Sequence, residues 1–359
     1  MLKCYGGELN SYSSVSVTYS IKNKDRDTIR MKMKAIVVKE PGGPEQLTIE
    51  EYSKPEPDVH ELLVRIKACA VNRADILQRK GKYPPPPGTS PILGLDIAGV
   101  VEERGAHCRR WKAGDNVCGL ISGGGYAEFA VIHEDLAMPF APNLSFEEAA
   151  AIPEVFLTAY QVLFWLGNVQ KEQFVLIHAG ASGVGTAAIQ LAREAGAHVI
   201  ATVGHPVKVA VCRGLGAVAA FNYNEGPFVE QVMAVTNRKG ATIIMDFIGA
   251  SFWEQNLACI AEDGYWILIS AMGGAKIEQM NLLQFMLKRI HMIGTTLRAR
   301  SLNYRIRLAK EFVEYALPRF INERLKPIVD RIVPWNEVQE AHRYLESNAS
   351  IGKVVLTIS

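Results

Sequence analysis

The sequence predicts an α/β fold that combines a doubly wound parallel sheet with a mostly antiparallel β domain. From Met33 to about Pro153, short runs of β-branched and aromatic residues lie between Gly, Pro and Asp, as in antiparallel strands. From about Ala149 onward, strand-like and helix-like runs alternate, which predicts a parallel sheet covered by helices on both faces. The length of 359 residues is sufficient for two domains.

The strands of the first region are predicted from the runs KAIVV, ELLVRIKACAV, DIAGVVEERG, DNVCGLI and YAEFAVI. The segment from Gly81 to Pro91, GKYPPPPGTSP, is predicted to be a loop, because its prolines lack the amide donors that a strand needs. The chain closes with GKVVLTIS, a strand-like run that is expected to return to this first region.

The second region begins with a helix-like segment, FEEAAAIPEVFLTAYQVLFWLG, which is interrupted at Pro153. Its strands are predicted from FVLIH, AHVIATV, AAFNY, TIIMDFI, YWILISA and HMIGTTL. Helices are predicted between them, notably over 186–195 and 207–213. After about Arg300, the spacing of IRLAKEFVEYALPRF indicates one amphipathic helix.

The composition argues against several classes of partner. A formal net charge of +2 gives no reason to expect nucleic acid as the partner. A hydrophobic content of 48% with 21% charged residues is typical of a globular protein with a substantial core. No apolar run approaches the roughly 20 residues that span a bilayer, so no membrane partner is expected.

The six cysteines are scattered, with no pair at Cys-x-x-Cys spacing. This pattern argues against structural zinc and favours reduced thiols in a cytoplasmic protein. Residues 1–32 are rich in Ser, Tyr and basic residues and lack the apolar core of a secretory signal, so a disordered N-terminal extension is predicted. A mitochondrial location is the alternative if this extension acts as a transit peptide.

A loop of small residues, HAGASGVG from His178 to Gly185, indicates a dinucleotide-binding site of the Rossmann type. The strand FVLIH leads into the loop, and a helix is predicted to follow from Thr186. Small residues let the backbone approach a pyrophosphate, and the helix N-terminus faces its charge. The position of the loop at the start of a strand–helix alternation favours this interpretation over an ordinary tight turn.

The end of the second strand, ATVGHPVK, indicates which dinucleotide is bound. A site for NAD usually places Asp or Glu there to bind the ribose hydroxyls, and such a carboxylate would repel a 2′-phosphate. This strand is followed by Gly204, His205 and Lys208 instead. A lysine beside a phosphate gains a charge-assisted hydrogen bond, although most lysines are simply solvated. The sequence therefore predicts NADPH rather than NADH.

Three motifs resemble those of a known family in their order and spacing: VNRADILQRKGKYPPPPG, HAGASGVG and FNY. The chain from Met33 to Ser359 resembles the zinc-free quinone oxidoreductase branch of the medium-chain dehydrogenase/reductase superfamily. NRAD, SGVGTAAIQL and IGK are most similar to the tumour-suppressor-inducible group of that branch. The resemblance implies a GroES-like domain, residues 33–156 and 301–359, a Rossmann NADPH-binding domain, residues 157–300, and a cleft along their seam.

The resemblance also implies the residues of the site. Lys208 and Tyr223 match positions that contact the 2′-phosphate, and Gly204 matches a backbone contact beside them. The other matched cofactor positions are Thr158, Ala181, Ser182, Gly183, Val184, Ser270, Thr296 and Leu297. Asn72 and Tyr83 match residues that face the nicotinamide and the substrate. Leu77 stands where many relatives carry a tyrosine, which indicates a more apolar pocket.

Alcohol dehydrogenases of the same superfamily hold catalytic zinc with a Cys and a Gly-His-Glu motif. The corresponding positions in this chain are Asn72 and the GLD of Gly94 to Asp96. Asn and Leu cannot replace thiolate and imidazole as zinc ligands, so no catalytic metal is expected. Without a Lewis acid, the chemistry should suit an acceptor that is already electrophilic.

The activity that these points imply is zinc-independent hydride transfer from NADPH to a quinone, with Asn72, Ser182 and Tyr83 as catalytic residues. Tyr83 is expected either to donate a hydrogen bond to the quinone or only to pack in the Pro-rich loop. The alternatives are an enoyl or alkenal/one reductase and a non-catalytic NADPH-binding protein, crystallin-like or RNA-binding. A homodimer is expected, because HMIGTTL would otherwise leave a sheet edge exposed and subunits of the resembling family join there.

Overall fold

A computed structural model describes residues 31–358 of the chain. The first two strands, β1 (Lys32–Val38) and β2 (Leu47–Ser53), form an antiparallel hairpin. A larger sheet contains β3 (Glu61–Val71), β4 (Asp96–Arg104), β5 (Asn116–Leu120), β6 (Phe129–His133) and β7 (Ala137–Met138). Its order is β14-β15-β3-β4-β5-β7, with β6 on β3, where β14 is Val329–Pro334 and β15 is Lys353–Thr357.

The larger sheet therefore combines strands of residues 61–138 with the two C-terminal strands β14 and β15, while β1 and β2 form a sheet of their own. The pair β14–β15 is parallel, whereas all other pairs in the sheet are antiparallel. The final strand, β15, lies against β3 with Val354 opposite Val71. The expected return of the C-terminal run to the first region is confirmed.

The remaining strands form a six-stranded sheet in which every pair is parallel. They are β8 (Phe174–Ile177), β9 (His198–Val203), β10 (Ala219–Asn222), β11 (Ala241–Asp246), β12 (Ile260–Leu268) and β13 (His291–Gly294). The strand order is β10-β9-β8-β11-β12-β13. Starting from β8, the chain adds β9 and β10 on one side and then β11, β12 and β13 on the other, so the order reverses between β8 and β11. Ligands of such sheets bind beyond the carboxyl ends of the strands at the point of reversal.

The helices connect and cover these strands. They are α1 (Arg73–Arg79), α2 (Phe146–Ala150), α3 (Pro153–Tyr160), α4 (Gly183–Glu194), α5 (Pro206–Gly214), α6 (Val229–Val235), α7 (Trp253–Cys259), α8 (Leu282–Lys288), α9 (Leu302–Ile321) and α10 (Val338–Glu346). A π-helical turn, Gln161–Leu166, continues α3. Within residues 31–358, no helix has both the length and the apolar character needed to cross a bilayer.

The parallel sheet is buried on both faces, as the sequence predicts. Val175 and Ile177 of β8 belong to one apolar core, whereas Leu176 between them belongs to another. The side chains of a strand alternate between its two faces, so consecutive apolar residues fit only a sheet that is covered on both sides. The predicted α/β class, with one parallel and one mostly antiparallel sheet, is confirmed.

Several boundaries differ from the prediction. The helix after the Gly-rich loop begins at Gly183 rather than Thr186, because Ser182 caps it. Pro153 separates two helices, as expected, since proline is tolerated at the first helical position of α3. The strands β2 and β14 were not predicted from the sequence.

The predicted disorder of residues 1–32 lies outside the described residues, apart from the last two. Lys32 corrects the boundary by one residue, because it already belongs to β1 and pairs with Ser53. Residues 32–358 belong to one compact unit. The domain limits at residues 156 and 300 stay a prediction.

Candidate active site

One cavity of about 970 Å³ lies beyond the carboxyl ends of the parallel strands. Residues just after β8, β11 and β12 line it, namely Ala179, Phe247 and Ile269. All residues named above for catalysis and cofactor binding line the same cavity: Asn72, Tyr83, Thr158, Ala181, Ser182, Gly183, Val184, Gly204, Lys208, Tyr223, Ser270, Thr296 and Leu297. The fold thus brings together positions that are more than 200 residues apart in the sequence, although their individual roles stay predictions.

The Gly-rich loop is shaped by a helix cap and by close backbone contacts. The Ser182 hydroxyl accepts a hydrogen bond from the Gly185 amide at 3.1 Å and so caps α4. A Cβ atom on Gly185 would lie 2.4 Å from the Ala179 carbonyl oxygen, so only glycine fits there. The Gly352 amide donates to the Ala181 carbonyl at 2.8 Å and ties the loop to the strand β15.

Two cationic side chains meet beyond the end of β9. The Lys208 ammonium donates to the Asn348 carbonyl oxygen at 2.6 Å, and the Arg73 guanidinium donates to the Asn348 side chain. The Tyr223 hydroxyl lies so close to Gly204 that a Cβ atom there would be 2.5 Å from it. Partial burial lowers the pKa of Lys208, and the carboxylate of Asp330 opposes that shift.

A buried ion pair holds the side chain of Asn72 in place. The Lys353 ammonium lies 2.5 Å from Asn72 Oδ1 and 3.0 Å from Asp96 Oδ2, with both charged side chains almost completely buried. Asn72 Nδ2 donates to Asp96 Oδ2 at 2.9 Å and to the Ala70 carbonyl at 3.3 Å. Both amide hydrogens of Asn72 are thus used inside the protein, while Oδ1 retains a second lone pair.

The side chain of Asp75 holds the backbone of Asn72 in place. The Asp75 carboxylate accepts hydrogen bonds from the amides of Asn72 at 2.8 Å and Gly94 at 2.9 Å. Tyr126 donates to the same carboxylate at 3.4 Å and lies 3.2 Å from His342. Burial raises the pKa of Asp75 to about 6, and the two amide bonds oppose that rise. Asn72 therefore has a fixed position at the start of α1.

The wall around the Pro-rich loop contains Tyr83 and Arg298. The Arg298 guanidinium lies 5.4 Å from the centre of the Tyr83 ring, which indicates a cation–π contact. Arg298 also donates to the Ser122 carbonyl from Nε at 2.9 Å and Nη2 at 2.6 Å. Its Nη1 is buried and has no hydrogen-bond partner within residues 31–358. Leu77 is exposed and lines the same cavity.

Four charged residues of the cavity wall were missed from the sequence: Arg73, Glu154, Arg298 and Lys353. The segment of Glu154 predicts only a helix, and Lys353 belongs to the motif IGK, which indicates only a family resemblance. The signal that could have pointed to both is a charged residue flanked by apolar ones in a segment destined for the core.

Two family descriptions match the chain. Residues 58–142 match the family described as "Alcohol dehydrogenase GroES-like domain", and residues 183–314 match the one described as "Zinc-binding dehydrogenase". The human protein named "Quinone oxidoreductase" is 30% identical over 333 residues, which cover 91% of this chain and 98% of that protein.

Solved structures agree with this relationship. The Escherichia coli quinone oxidoreductase complexed with NADPH is 30% identical, has a TM-score of 0.81, and covers 91% of this chain and 100% of its own. The JamJ enoyl reductase has the same TM-score of 0.81 at 29% identity, with 91% of this chain and 99% of its own covered.

The fold and the nucleotide-binding loop define an oxidoreductase of the medium-chain dehydrogenase/reductase superfamily. Within that superfamily, the relatives at about 30% identity over most of the chain decide the branch. The chain belongs to the quinone oxidoreductase branch.

A test of the buried ion pair is the variant Lys353→Met. It should lower the free energy of unfolding by about 3–5 kcal/mol, because it leaves the Asp96 carboxylate buried without its cation. The double variant Lys353→Met/Asp96→Asn should recover a large part of that loss. Urea denaturation measures both values.

The matched control is Lys310→Met, since Lys310 is exposed on α9. This variant should leave the unfolding free energy within about 0.5 kcal/mol of wild type. A double variant as unstable as Lys353→Met alone would show that the unpaired charge is not the cause.

Proposed function

We propose that this protein is an NADPH-dependent quinone reductase that works without zinc. The observation that carries the proposal is that the Gly-rich loop lines the same cavity as Asn72, Leu77 and Tyr83. These three residues lie in the segment that follows β3 of the mostly antiparallel sheet. A dinucleotide along the loop and a flat acceptor in the cleft would share that cavity. The human and bacterial relatives at 30% identity support the same reaction.

The residues present fit a phosphorylated dinucleotide. A Cβ atom on Gly180 would lie 2.8 Å from the Ala201 side chain, so the loop keeps its backbone close to the strands and open to a pyrophosphate. Lys208 and Arg73 supply positive charge near the end of β9. Among the described residues of the cavity wall, the only acidic one is Glu154, which adjoins the Asp96–Lys353 pair.

The proposed cofactor contacts follow the cavity wall. Lys208, Tyr223 and Gly204 would hold the adenosine phosphate. The remaining proposed contacts are Thr158, Ala181, Ser182, Gly183, Val184, Ser270, Thr296 and Leu297. When bound, NADPH supplies a hydride, and the protein's part is to position both reactants and exclude water.

Zinc independence is supported by the position of Lys353. Its ammonium already bonds the oxygens of Asn72 and Asp96 that would otherwise face a metal ion. Leu95, at the imidazole position of the alcohol dehydrogenases, offers no ligand atom. Within residues 31–358 no group of three His, Cys, Asp or Glu side chains is arranged to hold a metal ion.

Asn72, Ser182 and Tyr83 are the proposed catalytic residues. Asn72 Oδ1 accepts a hydrogen bond from the Lys353 ammonium, and this fixed position would let Asn72 help to orient the reacting groups. Ser182 uses its hydroxyl oxygen as a helix cap and so fixes the loop. Tyr83 packs on Arg298, and both lie in the wall where an acceptor oxygen would need a donor.

An enoyl reductase is the second candidate, because the JamJ enoyl reductase has the same fold with a TM-score of 0.81. Steady-state rates with 1,2-naphthoquinone, 9,10-phenanthrenequinone and trans-2-enoyl thioesters distinguish the two. We expect turnover of the quinones with NADPH and little turnover of the thioesters. The reverse preference would contradict the proposal. Binding of NADPH without turnover of any acceptor would favour a non-catalytic protein.

The cofactor preference is tested by Lys208→Ala. A hydrogen bond to a charged group contributes about 1.5–3 kcal/mol, so the KM for NADPH should rise at least about ten-fold. The KM for NADH should stay within about two-fold. The control is Lys239→Ala at an exposed lysine outside the cavity. An equal rise in KM for both cofactors would show that Lys208 does not bind the 2′-phosphate.

We also propose a homodimer joined at β13. Within the described residues this strand pairs only with β12, so it forms the edge of the parallel sheet. Exposed apolar side chains cluster on the neighbouring helix α8 and in β13: Leu282, Leu283, Met286, Leu287 and Met292. Open edges and large apolar patches of this kind are usually covered by another protein surface.

Light scattering tests the dimer. Wild type should have twice the mass of one chain, and Met286→Glu/Leu287→Glu should have the mass of one chain, because two charges per subunit would be buried in the interface. The control Ile332→Glu, at an exposed position of β14, should stay dimeric. A monomeric wild type, or a dimeric double variant, would contradict this interface.

A cytoplasmic location belongs to the same proposal. Five cysteines, Cys69, Cys108, Cys118, Cys212 and Cys259, are free and buried in the described part of the chain. Free thiols are typical of proteins in reducing compartments.

A further inference from the structure

The carboxyl group of Glu154 belongs neither to the proposed cofactor contacts nor to the buried Asp96–Lys353 ion pair. It lies in the first turn of α3, directly after Pro153, and lines the cavity. Its backbone amide donates to Asp96 Oδ1 at 2.6 Å, which fixes the start of the helix. The other charged residues in the described wall of the cavity are cationic: Arg73, Lys208, Arg298 and Lys353. A single acid in an otherwise cationic wall calls for a chemical explanation.

Glu154 is a half-buried residue that lines the cavity, which gives its side chain access to the contents of the cavity. Within residues 31–358 it forms no side-chain hydrogen bond. Three charged groups act on it from neighbouring elements: Asp96 of β4, Asp75 of α1 and Lys353 of β15. The two carboxylates disfavour a second negative charge nearby, whereas the ammonium favours it.

The balance of these effects favours the protonated acid. Burial raises the pKa of Glu154 to about 7; Lys353 opposes the rise, and Asp96 and Asp75 add to it. A group with such a pKa holds its proton in a large fraction of molecules at neutral pH and can release it readily. General acids work best when their pKa lies near the working pH.

We propose that Glu154 is the general acid that protonates the reduced acceptor. The proposal rests on the quinone reductase function. Hydride addition brings two electrons to the quinone and leaves a hydroquinone monoanion. The O–H bond of the Glu154 carboxyl then breaks, its proton forms the second O–H bond of the hydroquinone, and the carboxylate regains a proton from water.

Tyr126, Cys69 and Lys353 also carry protons in this part of the protein, but they are less suited to this step. Tyr126 and Cys69 are completely buried and lie outside the cavity wall, and burial raises the pKa of both groups. The Lys353 ammonium bonds Asn72, Asp96 and the Val71 carbonyl, which uses its three hydrogens. Within the described part of the chain, Glu154 combines access to the cavity with a carboxyl proton that no side chain accepts.

The decisive comparison is Glu154→Gln against wild type with a quinone acceptor. Glutamine keeps the size of the side chain but cannot transfer a proton as an acid. We expect kcat to fall about 100-fold, the low end of what a general acid contributes. The KM for NADPH should stay within about two-fold. Glu154→Asp keeps an acid and should recover part of the rate.

The pH profile separates catalysis from packing. The kcat of wild type should fall as the pH rises through about 7, because the acid is then deprotonated. This fall of kcat with rising pH, the alkaline limb of the pH profile, should be absent in Glu154→Gln. The control Glu314→Gln changes an exposed acid of α9 and should keep both the rate and the limb. A difference infrared spectrum of the enzyme without acceptor should contain a carboxylic acid band that titrates near pH 7 and is missing in Glu154→Gln.

The outcomes separate the two proposals. If wild type reduces quinones and Glu154→Gln keeps the rate and the limb, the acid role is wrong and the reductase function stands. If wild type reduces no quinone, the function fails, and the acid role fails with it. Asp75 also titrates near pH 6, so the band that counts is the one lost in Glu154→Gln. If no such band titrates between about pH 6 and 8, the acid role is wrong independently of any turnover.

Discussion

The ammonium of Lys353 connects the segments that build the site. It bonds Asp96 of β4, the side chain of Asn72 before α1, and the Val71 carbonyl at the end of β3. Asp96 in turn accepts from the first-turn amide of α3, at Glu154. A charge buried this deeply is costly unless each of its hydrogens has a partner, so these segments must close around it together. The side chains of Lys353 and Asp96 together thereby place β3, β4, α1 and α3 relative to one another.

This arrangement also joins the cofactor loop to the other half of the cavity. Gly352, the residue before Lys353, bonds the Ala181 carbonyl in the Gly-rich loop. A Cβ atom on Gly183 would lie 2.8 Å from the Lys353 side chain, which shows how closely the two segments pack. The last strand of the chain therefore carries the contact between the dinucleotide loop and Asn72. A displacement of β15 would move both.

The charges of the cavity are divided between two tasks. Lys208 and Arg73, beyond β9, suit an anionic nucleotide, whereas Lys353 compensates buried carboxylates and faces the protein. Within residues 31–358, Glu154 is the acid of the cavity wall that forms no ion pair with a cation. Under the two proposals, this division would let one cavity attract a phosphate at one end and supply a proton at the other.

The sequence by itself determined the α/β class, the two sheets and the nucleotide loop, because these follow from local patterns: period-two strands, small residues before a helix, and prolines that exclude strands. The residues matched through family motifs also reached one cavity. Only the tertiary structure decided the partners of Asn72 and the surroundings of Glu154. Lys353 and Asp96 are 257 residues apart, and no local pattern states that they meet. The pKa of Glu154 depends on burial and on three charges from separate elements, which exist together only in the folded chain.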